Sequence, residues 1–269
     1  MSIPIAIIDA FTDRPFLGNP AATTLVEQFP TAQVMQQIAA EMNLSETAFV
    51  KPIAPNHYHL RWFTPAQEVP LCGHATLAIA HDLKEQKLID PQEPLIFSTL
   101  SGDLQISFAD QLIVMDFPAA FYGSCSSRSQ QIIADIFSEQ PYELLGQSEE
   151  YLAVRLDSAD TVQNFVPPLE RIAELDGFGF IITAIASPDD HCDFVSRFFA
   201  PKAGIAEDPV TGSAHCSLTP YWAKQLNKPD LCAKQLSQRG GTLWVSDLGD
   251  RVLIKGQATT MMRGQFLIS

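Results

Sequence analysis

An internal sequence repeat, called the echo below, limits the possible folds of this chain more than any other feature. Glu68-Val-Pro-Leu-Cys-Gly-His-Ala75 returns as Glu207-Asp-Pro-Val-Thr-Gly-Ser-Ala214, with glutamate, proline and glycine in the same register 139 residues later. The same offset carries Gly102-Asp-Leu-Gln-Ile106 onto Gly241-Thr-Leu-Trp-Val245. A period of about half the chain indicates two similar domains rather than a solenoid. The alternative is that both halves merely share one order of strand, turn and helix.

A second pair of segments precedes the two matched turns. Arg61-Trp-Phe-Thr-Pro65 in the first half resembles Arg197-Phe-Phe-Ala-Pro201 in the second. Each segment is followed within a few residues by the glutamate and the proline of the matched turn. The echo therefore covers a strand-like segment, a turn and the start of a helix in both halves.

Hydrophobic periodicity predicts mixed secondary structure in both halves. His57 to Phe63 alternates, as a half-buried strand does, and Ala75 to Lys87 has helical spacing. Because Ala75 to Ala80 is apolar on most faces, that helix is expected to be buried. Ser213 to Leu226 and Pro167 to Leu175 predict helices in the second half. We therefore predict an α+β fold of two pseudo-symmetric domains, each a curved, mostly antiparallel sheet around a central helix.

The domain boundary is placed by the echo and by the strand pattern. We predict an N-terminal domain over residues 1–118 and a C-terminal domain over residues 119–257. The strand near 258–269 is the candidate segment that returns to the N-terminal domain.

Charge and composition exclude several classes of protein. Lys and Arg total 17 against 31 Asp and Glu, a net charge of −14, so phosphate backbones and anionic membranes are expected to be repelled. The longest apolar run, Phe178 to Ala186, is far shorter than the roughly 20 residues of a membrane span. The N-terminus lacks the basic region of a signal peptide. Five scattered cysteines without CxxC predict neither a disulfide framework nor a zinc site, so we expect a cytoplasmic protein without a metal.

The two matched turns each contain a glycine and open a predicted helix. Because the first N–H groups of a helix lack partners and carry partial positive charge, such a turn attracts an anion. Gly73 and Gly212 remove the side chain that would block close approach. On one turn alone, the glycine as turn former and Ser213 as N-cap would be explanation enough. Two matched turns favour a site for a small carboxylate.

Titratable residues lie in or near these two turns in the sequence. His74 follows Gly73, and Asp208 lies five residues before Ser213. Alone, His74 is equally a packed or capping residue, and Asp208 beside a proline is a common turn residue. Glu46 stands at the start of an apolar strand, where burial is expected to raise its pKa and suit it to general acid/base catalysis. It is also compatible with an exposed strand end, and the spacing does not decide.

Six motifs together resemble one known family, the phenazine-biosynthesis PhzF-like proteins, from about residue 5 to the C-terminus. Each is weak alone, and the combination is highly specific. The motifs are Asp9-Ala-Phe-Thr12, Phe16-Leu-Gly-Asn-Pro-Ala21, Asn43-Leu-Ser-Glu-Thr-Ala-Phe49, Arg61-Trp-Phe-Thr-Pro-Ala66, Cys72-Gly-His-Ala-Thr76 and Glu207-Asp-Pro-Val-Thr-Gly-Ser-Ala214.

The resemblance implies a fold and a mode of action. It implies the diaminopimelate epimerase-like fold, in which two barrel-like sheets each surround a helix and the active site lies between the domains. Assigned members are isomerases without a cofactor, and homodimers are usual. In the phenazine enzyme, whose substrate is a dihydro-hydroxyanthranilic acid, a glutamate moves hydrogen between ring positions. The resemblance therefore implies a small carboxylated metabolite as the substrate of this chain.

The resemblance also assigns roles to residues of this sequence. Glu46 matches the family's acid/base glutamate, and His74 and Asp208 match its other catalytic residues of the cleft. The substrate-binding positions match Gly73, Ala75, Gly212, Ser213 and Ala214.

Two alternatives stay open at this point. Racemases of this fold use two thiols, and this chain has Cys72 at the first position but Thr211 at the second, where a hydroxyl cannot replace a thiolate. An amino-acid racemase or epimerase would then need Cys72 with another base, or Cys72 is only a helper or a small buried residue. The other alternative is a metabolite-binding protein without catalysis. No Walker loop or GxGxxG supports a nucleotide.

Overall fold

The computed structural model describes residues 2–148 and 150–268, and the contacts between these residues divide the chain into two units. The first unit comprises Met1–Asp116 and Lys255–Ser269, and the second comprises Phe117–Ile254.

Strands outnumber helices along the chain. The strands are β1 (Ser2–Ala10), β2 (Asn19–Leu25), β3 (Glu46–Ala54), β4 (His57–Phe63), β5 (Glu68–Val69), β6 (Leu95–Thr99), β7 (Gly102–Ala109), β8 (Leu112–Pro118), β9 (Tyr142–Gln147), β10 (Tyr151–Leu156), β11 (Gly179–Ile185), β12 (Phe194–Ala200), β13 (Ile205–Asp208), β14 (Asp230–Gln235), β15 (Gly241–Asp247), β16 (Arg251–Gly256) and β17 (Ala258–Leu267). The α-helices are α1 (Ala32–Met42), α2 (Gly73–Glu85), α3 (Ser127–Ile136), α4 (Ala159–Asn164), α5 (Leu169–Ile172) and α6 (Gly212–Leu226).

The first unit is a mostly antiparallel sheet that packs against α2. Antiparallel pairs join β1 to β2 and to β17, β3 to β4, β6 to β7 and β7 to β8, whereas β2–β3 and β4–β6 are parallel. Helix α2 packs against β1, β2, β3 and β17, and buries nine of its thirteen residues. Helix α1 packs against β3 and β4, where Met35 and Ile38 meet Phe49 and Phe63.

The second unit repeats this pairing scheme. Strands β10 and β11 are parallel, β11 and β12 antiparallel, β12 and β14 parallel, and β14 and β15 antiparallel. These pairs correspond in order to β2–β3, β3–β4, β4–β6 and β6–β7. Helix α6 begins 139 residues after α2 and packs against β14 and β15. The predicted α+β class, with one largely buried helix in each half, is confirmed.

Helix α6 contains a proline, and the chain compensates for it. Pro220 lacks an N–H group and therefore cannot bond the carbonyl of Cys216, four residues earlier. The N–H of Ala120 donates to that carbonyl instead, at 3.0 Å. The buried helix thus keeps its backbone satisfied through the segment that opens the second unit.

An ion pair with a buried carboxylate joins strand β17 to α2. Asp82 of α2 is 3% exposed and accepts hydrogen bonds from Thr23 at 2.7 Å, from Gln86 at 2.8 Å and from the guanidinium of Arg263 on β17. A buried carboxylate needs such partners because its desolvation is costly.

The helix predicted over Pro167 to Leu175 is present but shorter than predicted. Only the single turn Leu169–Ile172 is helical, because Pro168 precedes it and the chain then turns at Gly177 with a φ of +81°. Helices α3 and α4 were missed, since each is short and presents only two or three buried residues to the core. Of the helices in the described ranges, none has both the length and the apolar character needed to cross a bilayer.

Each unit contains one bidentate Arg–Glu pair at corresponding places. Arg61 binds Glu68 through two bonds of 2.7 Å, and Arg197 binds Glu207 at 2.7 and 3.0 Å. The second pair is the more buried, and Arg197 also donates to the carbonyls of three residues of α4 and its end, Val162, Gln163 and Phe165. Each pair fixes the strand that leads toward a matched turn.

Replacing the two arginines separately should show that the more buried one contributes more to the free energy of unfolding. Arg197→Met removes the buried guanidinium that serves the Glu207 carboxylate and three backbone carbonyls, so we expect it to lower the free energy of unfolding by about 3–5 kcal/mol. Arg61→Met, the matched control in the first unit, leaves groups that water reaches and should cost about 1–2 kcal/mol. Urea unfolding followed by circular dichroism measures both. Equal losses would contradict this account.

Candidate active site

Three functional side chains of the first unit come from two chain segments. Glu46 is the first residue of β3, where it pairs with Ala21 of β2. Cys72 is the N-cap of α2, and His74 lies in the first turn of this helix. Because α2 packs on β2 and β3, its N-terminal turn is brought to the beginning of β3.

The three side chains form a compact, buried group. His74 Nε2 lies 3.1 Å from Glu46 Oε2, and Cys72 Sγ lies 3.5 Å from His74 Nδ1. The side chains of His74 and Glu46 are only 8% and 13% exposed. The close Nε2–Oε2 contact is not aligned as a regular hydrogen bond, and both atoms are buried without another partner. They are thus close enough to exchange a proton and still have capacity for a third group.

Together, electrostatic and hydrogen-bond interactions within this group change the pKa values of Glu46 and His74 more than burial does. Burial alone would raise the pKa of Glu46, but the adjacent His74 cation lowers the pKa below 4.5. The raised pKa expected for Glu46 from its apolar strand is therefore wrong, because the pattern of that strand does not reveal the histidine. Burial would lower the pKa of His74, yet its electrostatic and hydrogen-bond interactions with Cys72 and with the Glu46 carboxylate raise that pKa well above 6.5.

Cys72 is the least acidic member of the group. Burial, and after it the Glu46 carboxylate, raises the pKa of the Cys72 thiol to about 11. Cys72 is therefore a thiol at neutral pH, and Glu46 is the anion that keeps His74 protonated. The group exists as carboxylate, imidazolium and thiol.

The first turn of α2 adds backbone donors. The Cys72 side chain does not cap the helix, and the Thr76 hydroxyl donates instead to the Cys72 carbonyl at 2.6 Å. The N–H groups of Gly73, His74 and Ala75 have no intrahelical acceptor, as is general for the first turn of a helix. This turn, next to the Glu46–His74 pair, can bind negative charge.

The second unit assembles its own group at the N-terminus of α6. Asp208 ends β13 and is 7% exposed, and its carboxylate accepts a hydrogen bond from the hydroxyl of Thr211, the N-cap of α6. That hydroxyl does not cap the helix. Gly212, Ser213 and Ala214 form the first turn, and Nδ1 of His215 bonds the Thr211 carbonyl at 2.8 Å. This last bond matches Thr76 and Cys72 in the first unit.

Gln235 stabilises this turn through two hydrogen bonds. The sequence analysis did not identify this residue. Its amide nitrogen donates to the Asp208 carbonyl at 2.8 Å, and its amide oxygen accepts from the N–H of Thr211 at 2.9 Å. The side chain is fully buried at the end of β14. A polar residue on the buried face of an alternating strand was the available signal, but it does not indicate the partner.

Tyr151 was also missed. Its hydroxyl lies 2.9 Å from the Ser213 hydroxyl, and burial raises the pKa of the phenol. Tyr151 therefore stays neutral and orients the serine, and it does not act as a base.

The predicted residues fall into two sets. Glu46, His74 and Cys72 meet one another in the first unit, with Gly73 and Ala75 in the same helical turn. Asp208 shares a hydrogen-bonded loop with the turn that contains Gly212, Ser213 and Ala214 in the second.

A curved sheet with a buried helix, built twice in one chain, defines the diaminopimelate epimerase-like fold. A hydroxyproline epimerase from Agrobacterium vitis, solved with trans-4-hydroxy-L-proline, shares this fold at a TM-score of 0.60 and 11% identity over 98% of this chain and 92% of that one. Within the fold, the model of the PhzC-PhzF family, phenazine biosynthesis-like protein, matches residues 8–264. The chain belongs to this family.

Relatives cover the chain from end to end. An uncharacterized isomerase of Pseudomonas aeruginosa is 44% identical over 269 residues, 100% of both chains. The crystal structure of a PhzF family protein from Enterococcus faecalis superposes with a TM-score of 0.89 at 39% identity and covers 100% of both chains. The resemblance seen in the six motifs is therefore confirmed.

The Glu46–His74 pair predicts how the histidine titrates. In the wild-type protein His74 should remain protonated above neutral pH. Glu46→Gln removes the anion and leaves burial as the dominant effect, so the pKa of His74 should fall. Histidine ring chemical shifts followed by NMR against pH measure this, with His74→Asn to assign the signal. An unchanged His74 titration in Glu46→Gln would contradict the pairing.

The same pair predicts a pH window of stability. The lowered pKa of Glu46 adds stability above its usual 4.5, which is lost as pH falls through the folded-state value. The raised pKa of His74 adds stability below 6.5, which is lost as pH rises through its folded-state value. Glu46→Gln should therefore be less stable than wild type by about 1.5–3 kcal/mol near pH 6, and by less at either extreme. Urea unfolding across pH tests this, and a constant difference would contradict it.

Proposed function

We propose that the protein is an isomerase that moves a proton on a small carboxylated metabolite, with Glu46 as the general acid/base. The Glu46–His74 contact of 3.1 Å, buried and with both atoms open to a third group, carries the proposal. The isomerase named among the relatives supports the class of reaction.

Glu46 begins the reaction as a base. Its carboxylate takes a proton from a carbon next to an electron-withdrawing group of the substrate, and the C–H electron pair moves into the conjugated system. The protonated Glu46 then returns the proton to a different carbon, or to the opposite end of the conjugated system. One C–H bond breaks and another forms, and no electrons leave the substrate, so the step needs no redox cofactor.

His74 and the helix turn stabilise charge during this step. The imidazolium keeps Glu46 ionised in the resting state and can hydrogen-bond an oxygen of the substrate. The backbone N–H groups of Gly73 and Ala75 can bind the substrate carboxylate, on which negative charge grows as the proton leaves. Preorganised donors of this kind need no rearrangement during the reaction.

The residues of the second unit take a binding role in this proposal. Asp208 binds and orients a polar substituent, and Ser213 with the N–H groups of Gly212 and Ala214 binds an oxygen. Gln235 and Tyr151 fix this group in place. That these residues serve the same substrate as Glu46 stays a prediction.

Two observations disfavour Cys72 as the base of a racemase. A thiol with a pKa of about 11 is almost fully protonated at neutral pH. The hydroxyl at the matched position, Thr211, already donates a hydrogen bond to the Asp208 carboxylate. Cys72 instead forms part of the buried environment of the His74 ring, with Sγ 3.5 Å from Nδ1.

Substrate trapping tests the proposal. Glu46→Gln keeps the shape of the site and removes the base, so it should retain substrate and lose turnover. Mass spectrometry of small molecules that co-purify with Glu46→Gln identifies the ligand, and Glu41→Gln, on the exposed face of α1, is the matched control. Deuterium uptake from D₂O by that ligand should fall by at least 10²-fold in Glu46→Gln and be unchanged in Glu41→Gln.

Three results would overturn the assignment. Full deuterium uptake in Glu46→Gln would mean that another residue is the base. Loss of uptake in Cys72→Ser with full uptake in Glu46→Gln would favour thiol chemistry. Tight retention of a metabolite by every variant without uptake in the wild type would indicate a binding protein instead.

A further inference from the structure

The Glu46–Cys72–His74 group has a property that proton transfer does not require. Each residue offers one ligand atom, a carboxylate oxygen, a thiol sulfur and an imidazole nitrogen, and the three atoms lie within 4.8 Å of one another. Over residues 2–148 and 150–268, no other three His, Cys, Asp or Glu side chains meet this condition.

The donor atoms select a class of metal ion. Sulfur, nitrogen and oxygen from one Cys, one His and one Glu suit zinc and similar borderline-soft ions, which favour four ligands. Magnesium and calcium prefer oxygen ligands only, so a set with one thiolate and one imidazole disfavours them. Three protein ligands leave a fourth position for water or a substrate oxygen.

A second observation points to a ligand in the same place. Glu46 Oε2 and His74 Nε2 are both buried, and neither has an aligned hydrogen-bond partner. Polar atoms in this condition are costly, and a bound ion would satisfy the oxygen directly. Glu46, whose side chain is 13% exposed, is the open edge of the group.

We propose that this group binds a zinc-like divalent cation and that the metal-bound protein is inactive. Binding forms one bond each to Glu46, Cys72 and His74, and the thiol proton and one ring proton pass to solvent. No oxidation or reduction occurs. The inactivity rests on the proposed function, since the ion occupies the electron pair that Glu46 needs as a base, whereas the metal site itself does not depend on that function.

Cys192 is the natural competitor for such an ion. It is partly exposed and lies between His191 and Asp193, so two other potential ligand residues adjoin it in the sequence. Its neighbours do not bring three ligand atoms together in the described chain. Cys192→Ser is accordingly the matched control for Cys72→Ser.

Cobalt(II) provides a readout that needs no substrate. Titration of the full-length protein with Co²⁺ should produce a thiolate charge-transfer band and the intense visible bands of four-coordinate cobalt, which saturate at one ion per chain. Cys72→Ser should abolish the charge-transfer band, and Cys192→Ser should keep it. His74→Asn should weaken binding at least tenfold, with circular dichroism confirming that each variant is folded.

The outcomes separate the metal site from the reaction. No band in the wild type, or a band that survives in Cys72→Ser, would overturn the site. With the site present, Zn²⁺ should suppress deuterium uptake at one equivalent and a chelator should restore it, and undiminished uptake in the zinc-loaded protein would overturn the inactivity. If no variant exchanges deuterium, the proposed isomerase fails while the cobalt spectrum still decides the site.

Discussion

The structure depends on burying one helix in each unit. This burial requires hydrogen-bond partners for the polar backbone groups at the helix ends. Most residues of α2 are inaccessible to water, so the polar groups of its first turn cannot rely on solvent. Thr76 in the first unit and His215 in the second bond the carbonyl of the N-cap residue. The N-cap side chains do not cap the helices, and so the donors of both first turns remain available to a ligand. The burial of the two helices thus leaves backbone donors at their first turns, which the proposed carboxylate site would use.

A second constraint acts on the segments that lead into these helices. The bidentate pairs Arg61–Glu68 and Arg197–Glu207 join a strand to the turn that follows it. Arg197 departs from symmetry, because it also donates to carbonyls at the end of α4, the helix that follows β10 as α1 follows β2. Equivalent positions have therefore diverged in burial while they keep one ionic contact. Asp208 and Thr211 show the same divergence, since Thr211 bonds a carboxylate where Cys72 contacts an imidazole.

The sequence allowed much of this arrangement to be predicted. Strand β4 follows from its alternating pattern, and the matched turns follow from glycine and proline in register. The starts of α2 and α6 were placed one or two residues late, because neither helix begins with a side-chain cap that the sequence could display. Local patterns could not reveal Gln235 or Tyr151, whose partners lie more than twenty residues away. The pKa of Glu46 was misjudged for the same reason: the histidine that reverses the effect of burial is distant in sequence.

The position of β17 has a consequence for how the chain acquires its structure during synthesis. The second unit is one uninterrupted stretch, whereas the first unit includes β17, which follows the whole second unit in sequence. Until β17 emerges from the ribosome, β1 lacks its longest antiparallel partner and the buried Asp82 lacks Arg263. Domains that are continuous in sequence can fold as they are translated. We therefore expect the second unit to complete its structure during translation before the first unit does, although the first unit begins the chain.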